Sequence, residues 1–328
     1  MTAILVRIAR REGQSPARLF AKLEFMNPGG SVKDRLVKYL VTQMERDGLL
    51  TRDTVFVENS SGNTGAALSM VAATRGLRCV ITIPDKMSRA KISRMQAFGT
   101  EVVVAPTAVD ADDPRSYYSV ARHLSENISG AIYPDQYNNP LNARAHYEST
   151  GPEIWEQTGG AIDAFVCGIG TGGTISGVGR FLKEKNPAIQ VIGADPIGSV
   201  FYDYFHHGRL PTPHVYQVEG IGEDYLVKAV DFGVIDDIVQ VDDAGSFAAA
   251  RQLVREEGIL CGGSSGSALC AALQVAPRFP GGNVVVLLPD SGNMYLSKFL
   301  DDEWMRAHGH AVDSRDSVLP SVRTKTVV

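Results

Sequence analysis

The sequence has little of what several classes of protein require. Its four cysteines show no C-x-x-C spacing, and its seven histidines form no group with the spacing of metal ligands. This pattern argues against a disulfide framework and against a metal site. We expect reduced and buried thiols at Cys79 and Cys167, which lie in strand-like runs.

An excess of charge and long apolar runs are also missing. The formal net charge of -5 gives no electrostatic reason to bind nucleic acid or an anionic membrane surface. No apolar run approaches the roughly 20 residues that cross a bilayer. The first residues, MTAILVRIARREG, lack the length and the order of charges of a signal peptide. We therefore expect a cytoplasmic protein.

What the chain does have is a regular alternation of two patterns over 328 residues, enough for two domains of ordinary size. Continuous apolar runs separated by amphipathic segments indicate parallel sheets covered on both faces by helices, an α/β fold. Strands are predicted at 54–59, 78–84, 101–106, 164–170, 190–195 and 283–290, and helices at 64–76, 88–98, 175–186 and 246–258.

Three loops rich in glycine and hydroxyl groups each open a predicted helix. They are SSGNTG (60–65), IGTGGTISG (169–177) and GGSSGS (262–267). Free backbone N–H groups at a helix N-terminus bind anions, and ligands of parallel sheets collect beyond the strand carboxyl ends. The loops therefore predict polar cradles for an anionic ligand.

Lys33 is unusual because it lies at the start of a helix yet on its apolar side. The helix is predicted to run to Asp47-Gly48, with Ser31 as N-cap and Asp34 completing a capping-box-like pair. The helical spacing predicts that Lys33 lies on the apolar face, together with Leu36, Val37, Leu40 and Val41. The polar face is predicted at Asp34, Lys38, Thr42 and Glu45. Lys33 either extends past the helix end or is a desolvated amine able to form a Schiff base.

Two other motifs offer alternatives. Gly168–Gly173 satisfies G-x-G-x-x-G after a strand, with Asp195 about 20 residues on, as in a dinucleotide site. That fingerprint normally opens the first strand of its domain, whereas this copy falls in the middle of the chain.

The second motif is G-x-S-x-G at residues 262–266, which places Ser264, Asp290 and His308 in the order of a hydrolase triad. The segment before it reads as the end of a helix, whereas the hydrolase motif requires a strand there.

A phosphate-bearing aldehyde cofactor accounts for these features together. It needs an amine for a Schiff base, a glycine and hydroxyl cup for its phosphate, a partner for its ring nitrogen, and donors for a substrate carboxylate. Lys33, the 169–177 loop, Ser264 and the 60–65 loop supply one candidate for each.

Five segments follow one another along the chain in this order: NPGGSVKDR, SSGNTG, GTGGTISG, EGIGEDYL and GGSSGS. Through these segments the chain resembles the β-family, or fold type II, of pyridoxal-phosphate enzymes. The likeness covers about residues 5–305. It is strongest to the branch of short bacterial cystathionine β-synthases and cysteine synthases, through PDQYNNP, VEGIGED and LLPDSGNMYLSKFL. The resemblance implies pyridoxal 5′-phosphate as cofactor and two domains, each with a twisted, mostly parallel sheet flanked by helices.

The resemblance also implies a role for individual residues. Lys33 would hold the cofactor and act as base at the substrate Cα, and Ser264 would face the pyridine nitrogen. The remaining cofactor contacts would be Asn63, Gly170, Thr171, Gly172, Gly173 and Thr174. The substrate contacts would be Ser60, Ser61, Gly62, Thr64, Gln136, Tyr137, Gly220 and Glu223. Animal cystathionine synthases have an aromatic residue where this chain has Glu223.

The implied reaction is elimination from L-serine to an enzyme-bound aminoacrylate, followed by addition of L-homocysteine to give cystathionine. Two alternatives remain open within the class: a cysteine synthase, and a diaminopropionate-type synthase, using phosphoserine or acetylserine with sulfide or an amine donor. A binding relative without turnover is a further alternative.

The resemblance also predicts the organisation of the chain. Residues 34–137 would form the smaller domain with the substrate carboxylate loop, and residues 1–33 and 138–328 the larger domain with the phosphate loop. We expect a homodimer acting on small amino acids, without nucleic-acid or membrane partners.

Overall fold

Two separate sheets organise the chain in a computed structural model, which describes residues 4–8, 16–110 and 112–312. The described strands are β1 (Leu5–Arg7), β2 (Arg18–Leu23), β3 (Val55–Asn59), β4 (Arg78–Pro84), β5 (Glu101–Ala105), β6 (Ala131–Ile132), β7 (Ala164–Gly168), β8 (Gln190–Pro196), β9 (Asp237–Val241) and β10 (Asn283–Leu288). The ends of the larger predicted domain, residues 1–3 and 313–328, lie outside the described residues.

Helices connect these strands and cover both sheets. They are α1 (Lys33–Arg46), α2 (Asn63–Arg75), α3 (Arg89–Ala97), α4 (Tyr117–Asn127), α5 (Leu141–Tyr147), α6 (Thr150–Gln157), α7 (Gly173–Lys185), α8 (Phe201–His207), α9 (Asp243–Glu257), α10 (Gly263–Val275) and α11 (Asp302–Ala307). In the part of the chain that the structure describes, none of them is both long and apolar enough to cross a membrane.

The larger sheet has the order β1-β2-β10-β7-β8-β9, and the smaller sheet has the order β5-β4-β3-β6. Every pairing is parallel except that of β1 with β2. The six strands predicted from apolar runs correspond to β3, β4, β5, β7, β8 and β10, so the predicted α/β fold with two parallel sheets is confirmed.

The side chains of β10 point alternately to the two faces of the larger sheet, which explains why this strand is apolar throughout. Val284 and Val286 belong to one buried cluster of the larger sheet, whereas Val285 and Leu287 belong to the cluster on the other face. Because helices cover both faces, both sets of side chains leave water, as in other parallel sheets. Because both faces of the sheet are buried, the polar loops lie beyond the ends of the strands, outside the apolar layers.

The start of α1 differs from the prediction. Val32, not Ser31, occupies the N-cap position, without a side-chain cap. Asp34 is 1% exposed and accepts a hydrogen bond from the N–H of Gly29, so the predicted capping pair and the polar-face placement of Asp34 are both wrong. The turn before the helix folds back over its first residues, and a Cβ at Gly29 would lie 2.2 Å from the Asp34 Oδ1 atom. Glycine is therefore required at that point.

None of the four cysteines, all of which lie within the described residues, forms a disulfide, and Cys79, Cys167 and Cys261 are buried. Over residues 4–8, 16–110 and 112–312, no group of three or more His, Cys, Asp or Glu residues is arranged to hold a metal ion.

Candidate active site

A cavity of about 690 Å³ lies between the loops at the carboxyl ends of the two sheets. It is lined by every predicted cofactor or substrate contact except Gly62 and Gly173, which lie within two of the lining loops. All three glycine and hydroxyl loops open helices as predicted, since α2 begins at Asn63, α7 at Gly173 and α10 at Gly263. The fold thus brings together residues that the sequence separates by up to about 230 positions, from Lys33 to Ser264.

Lys33 reaches the cavity because the chain before it is attached to the residues that follow β10, at the carboxyl end of this interior strand of the larger sheet. The N–H of Val32 donates to the Pro289 carbonyl at 2.8 Å, and the N–H of Ser291 donates to the Gly30 carbonyl at 3.2 Å. From this position the Lys33 Nζ lies 3.4 Å from the Thr171 Oγ1 atom. α1 therefore delivers its first side chain directly to the 169–177 loop.

Burial lowers the pKa of Lys33, against the opposing effect of nearby groups that include Glu223. Desolvation disfavours the ammonium form, so more of the amine is neutral at a given pH than in water. A neutral amine is the nucleophilic form that condenses with an aldehyde. Lys33 therefore has the protonation behaviour that a Schiff-base lysine needs.

The loop before α7 is built to bind an anion through its backbone. The first hydrogen bond within the helix runs from the Ser176 N–H to the Gly172 carbonyl at 3.0 Å, which leaves the earlier N–H groups of the turn outside the helical ladder. Gly172 has φ +84°, and a Cβ at Gly170 would lie 2.8 Å from the Gly220 carbonyl oxygen. Glycine allows this close approach, which fits a compact phosphate group.

Two threonine hydroxyls complete the loop, and the side chains behind them were not predicted. Asn142 donates through its Nδ2 to the Thr171 Oγ1 atom at 3.0 Å, and the His146 Nε2 lies 3.3 Å from the Thr174 Oγ1 atom. Burial, together with Lys33 and Arg35, holds the pKa of His146 well below its ordinary value. The imidazole is therefore neutral near Thr174. No sequence motif marks Asn142 or His146.

The loop before α2 forms a tight turn around the Ser60 hydroxyl. Its Oγ accepts hydrogen bonds from the N–H groups of Gly62 at 3.0 Å and Gly65 at 2.9 Å. Thr64 donates through its hydroxyl to the Gln136 Oε1 at 2.6 Å, and the Gln136 Nε2 donates to the Asn59 carbonyl at 3.0 Å. The loop and Gln136 thus form one hydrogen-bonded unit facing the cavity.

Asp290, which was considered only as a triad member, instead orients Asn63. Its Oδ2 accepts from the Asn63 Nδ2 at 2.8 Å and from the Tyr295 hydroxyl at 2.7 Å, while burial raises its pKa. The His308 Nδ1 lies 2.8 Å from the Trp304 carbonyl. With Asp290 and His308 engaged elsewhere, the geometry does not support the hydrolase interpretation.

Asp195, the acidic residue of the dinucleotide alternative, is fully buried and does not line the cavity. Its Oδ2 accepts from the N–H of Tyr202 at 2.9 Å, at the start of α8. A ribose would need this carboxylate at the surface of the site. Asp195 therefore holds the start of α8 and does not contribute to a ligand site.

Glu223 lies on the opposite wall, on a segment tied to the 169–177 loop by the Gly222 N–H, which donates to the Ile169 carbonyl at 2.7 Å. Burial, with a contribution from Asp224, raises the pKa of Glu223 to about 8. Tyr137 belongs to a neighbouring aromatic group, in which Tyr118 and Tyr137 have ring centroids 5.8 Å apart. The wall therefore combines an ionisable carboxyl with aromatic surface.

Ser264 completes the site from the N-terminal turn of α10. It is 2% exposed, so its hydroxyl meets the cavity from a closely packed position. Such a hydroxyl presents a neutral polar group to a bound ring.

The comparisons with known proteins agree with this arrangement. The family model described as "Pyridoxal-phosphate dependent enzyme" matches residues 3–290. Cystathionine beta-synthase of Apis mellifera is 46% identical over 292 residues, which are 89% of this chain and 58% of that protein. The chain therefore spans less than two thirds of the length of this relative.

Two solved structures resemble the fold over nearly their whole length. The O-acetylserine dependent cystathionine beta-synthase from Helicobacter pylori has a TM-score of 0.83 and 36% identity, covering 90% of this chain and 94% of that one. A hydrogen sulfide-producing enzyme from Fusobacterium nucleatum has a TM-score of 0.83 and 34% identity, covering 90% and 96%.

Proposed function

The chain belongs to the family of pyridoxal-phosphate dependent enzymes, and from that premise we propose that it catalyses β-replacement on L-serine with L-homocysteine to give cystathionine. Pyridoxal phosphate is its cofactor. The observation that carries the proposal is the Lys33 amine, which has a lowered pKa and lies 3.4 Å from the Thr171 hydroxyl of an anion-binding loop. The identity of 46% to a cystathionine beta-synthase supports the choice of reaction.

We assign the cofactor contacts to residues that line the cavity and to Gly173, which lies within one of the lining loops. When bound, the cofactor supplies an electron sink for the charge that develops at the substrate Cα. Lys33 holds it and moves the proton at that carbon, while Gly170, Thr171, Gly172, Gly173 and Thr174 bind its phosphate. Asn63, oriented by Asp290, binds the 3′-oxygen on its pyridine ring. Ser264 offers the ring nitrogen a neutral hydroxyl, which favours β-elimination over racemisation because it leaves the nitrogen unprotonated.

The substrate carboxylate is assigned to the loop before α2. Ser60, Ser61, Gly62 and Thr64 form this site, in which the Gly62 N–H and the Thr64 hydroxyl fix the turn and the hydroxyls of Ser60 and Ser61 can donate to the carboxylate. Gln136 is held beside them by hydrogen bonds with Thr64 and with the Asn59 carbonyl. Tyr137, Gly220 and Glu223 form the wall that the second substrate meets. Packing of this wall around the substrate excludes water from the reactive site.

We also propose the organisation that accompanies this activity. The smaller domain comprises residues 34–137 and the larger domain residues 1–33 and 138–328, with the four-stranded and six-stranded sheets as their centres. The enzyme acts as a homodimer, and apolar side chains such as Ile4 and Met26, each about half exposed, offer surface for such a contact. Four cysteines that form no disulfide fit a reducing cytoplasm.

A second candidate uses O-acetylserine as donor. It is supported by the solved structure of an O-acetylserine dependent cystathionine beta-synthase, of which this chain covers 94%. Use of sulfide or an amine as nucleophile, with acetylserine or phosphoserine, is the further alternative.

A competition assay with product masses tests the proposal. Purified enzyme receives L-serine, O-acetylserine or phosphoserine separately, each with homocysteine, sulfide and glutamate together. Cystathionine from serine as the dominant product supports the first assignment, and cystathionine from acetylserine alone supports the second. Cysteine or a diaminopropionate adduct with serine inert contradicts both, and no product from any donor favours a binding relative.

A further inference from the structure

Lys91 is a buried cation directly beneath the substrate carboxylate loop. It lies on α3, is 4% exposed, and its Nζ donates to the Ser61 carbonyl at 3.3 Å. Its methylene groups fill the space beside Gly62, where an added Cβ would lie 2.7 Å from the Lys91 Cδ atom. Gly62 has φ +141°, a conformation that other residues rarely adopt. Lys91 therefore supports the loop at its least usual backbone position.

The charge of Lys91 is balanced from the larger-sheet side of the cavity. Its ammonium forms an ion pair with Glu219, and Glu219 forms a second ion pair with Lys298. Burial works to raise the pKa of Glu219, but the two ammonium groups hold it below its ordinary value. The three side chains together carry a net charge of +1 close to the loop.

A second connection reaches the same loop from the same side. The Lys91 ammonium lies 5.2 Å from the centroid of the Tyr295 ring, and the Tyr295 hydroxyl donates to Asp290, which holds Asn63. Both ends of the loop, Ser61 and Asn63, are thus joined to residues that follow β10 or precede β9. The carboxylate loop and Lys91 both belong to the smaller-sheet part of the chain, whereas the groups that hold them come from the larger-sheet part.

We propose that Lys91 is a positioning residue for the donor amino acid: with Glu219 and Lys298 it holds the carboxylate loop in its binding conformation. The proposal rests on the proposed function in one respect, the assignment of the donor carboxylate to this loop. A site made of backbone N–H groups and hydroxyls binds well only if these donors are already aligned, because ordering them on binding costs free energy. Loss of the Lys91 charge removes the tie to Ser61 and leaves Glu219 with one partner fewer.

The test compares Lys91→Met with the matched control Lys183→Met. Lys183 lies on α7, and its replacement removes an ion pair with Asp236, which does not line the cavity. The absorbance of the holoenzyme is titrated with L-serine and with O-acetyl-L-serine in the absence of acceptor. We expect the donor dissociation constant of Lys91→Met to rise on the order of tenfold or more, as for loss of a charged hydrogen bond. Cofactor content and the KM for the acceptor thiol at saturating donor should stay within about twofold of the parent values, a range that corresponds to less than one hydrogen bond.

Three results would overturn the proposal. They are an unchanged donor dissociation constant in Lys91→Met, a change confined to the KM for the acceptor, and an equal effect in the Lys183→Met control. If Lys91→Met does not fold, Lys298→Met replaces it, since Lys298 is 22% exposed and is connected to Lys91 through Glu219. Lys298→Met should show a smaller increase in the donor dissociation constant. An unchanged donor dissociation constant in this variant would contradict the proposal. A parent enzyme whose spectrum responds to neither donor contradicts the proposed function itself, whereas a responsive parent with an unchanged variant contradicts only the role of Lys91.

Discussion

At the scale of single residues, Lys33 joins two properties that rarely occur together, an amine and a largely desolvated position at a helix start. Replacing Lys33 by Ala should abolish the visible absorption band of the lysine-bound cofactor and the activity with it, because no other amine would occupy its position against Thr171. Absorbance of the purified variant after incubation with pyridoxal phosphate measures this. Lys38→Ala is the matched control, since Lys38 lies in the same helix but is exposed. A band retained by Lys33→Ala at full strength would contradict the assignment.

Glu58 on β3 makes the stability of the protein depend on pH. Its carboxyl is fully buried and accepts hydrogen bonds from the N–H groups of Asn59 at 2.9 Å and Gln136 at 3.2 Å, and burial raises its pKa to about 8. In the unfolded chain the pKa is about 4.3. The folded state therefore binds the proton more tightly, so this stabilisation is complete below about pH 4.3 and is lost as pH rises through about 8.

Glu58→Gln keeps an oxygen acceptor but cannot ionise, so its free energy of unfolding should fall less steeply between pH 5 and 8. The difference between the two slopes should integrate to on the order of 2–4 kcal/mol. Urea unfolding at several pH values measures it, with the exposed Glu303→Gln as control. Glu223, with its pKa also raised to about 8, should leave part of the slope in place. Parallel slopes for the parent and Glu58→Gln would refute the assignment.

At the scale of elements, the contact between α5 and α7 depends on glycine. A Cβ at Gly173 would lie 1.9 Å from the Asn142 Oδ1 atom, and Asn142 donates to Thr171 and to the Gln136 carbonyl. Gly173→Ala should displace Asn142, weaken cofactor binding roughly tenfold, and cost about 1–3 kcal/mol of stability through overpacking. Cofactor titration of the dialysed enzyme and its melting temperature measure these two effects.

Gly179→Ala serves as the control within the same helix, because its nearest atoms are Val191 and Val234 methyl groups at 3.1 Å, away from the loop. It should leave cofactor affinity unchanged. Equal affinities in Gly173→Ala and the parent enzyme would mean that Asn142 does not orient Thr171.

Elements also show which parts of the fold could be predicted. Buried parallel strands such as β4 and β10 read as continuous apolar runs, which few other structures produce. β2 was missed because Lys22 interrupts the pattern. Its ammonium is fully buried and pairs with Glu153, 131 positions away, a compensation that no local window contains. Asp34 was misplaced for a related reason, since its partner is the turn before the helix.

The candidate site divides in the same way. Lys33 and the glycine loops could be identified as candidate site residues from the sequence because each belongs to a short motif of consecutive residues. Asp290, His146 and Lys91 were not, because each acquires its role from a partner brought near by the fold, as when Asn63 meets Asp290 across 227 positions. Local patterns therefore predict the candidate binding residues, whereas the residues that orient them follow only from the tertiary structure.

At the scale of the whole molecule, a buried charge network joins the layers of the two sheets. Arg35 lies on α1, whose apolar residues Val37 and Val41 belong to the core of the smaller sheet. Its Nε donates to Glu24 at 2.6 Å, just beyond β2 of the larger sheet, and its Nη1 donates to Glu153 on α6 at 2.8 Å. Glu24 is fully buried, so it depends on this guanidinium for its charge balance.

Arg35→Met should therefore destabilise the whole molecule by about 3–5 kcal/mol, the cost of leaving a buried carboxylate without its partner. Urea unfolding of the holoenzyme measures the change from the midpoint and slope. The double variant Arg35→Met/Glu24→Gln removes both charges and should recover part of the loss, whereas Arg115→Met, which breaks an exposed pair with Asp113, should leave the midpoint unchanged. If the double variant is no more stable than Arg35→Met, the unpaired Glu24 is not the cause. The network would then stabilise the junction of the two sheets through packing, two residues from Lys33, the lysine that we propose to hold the cofactor.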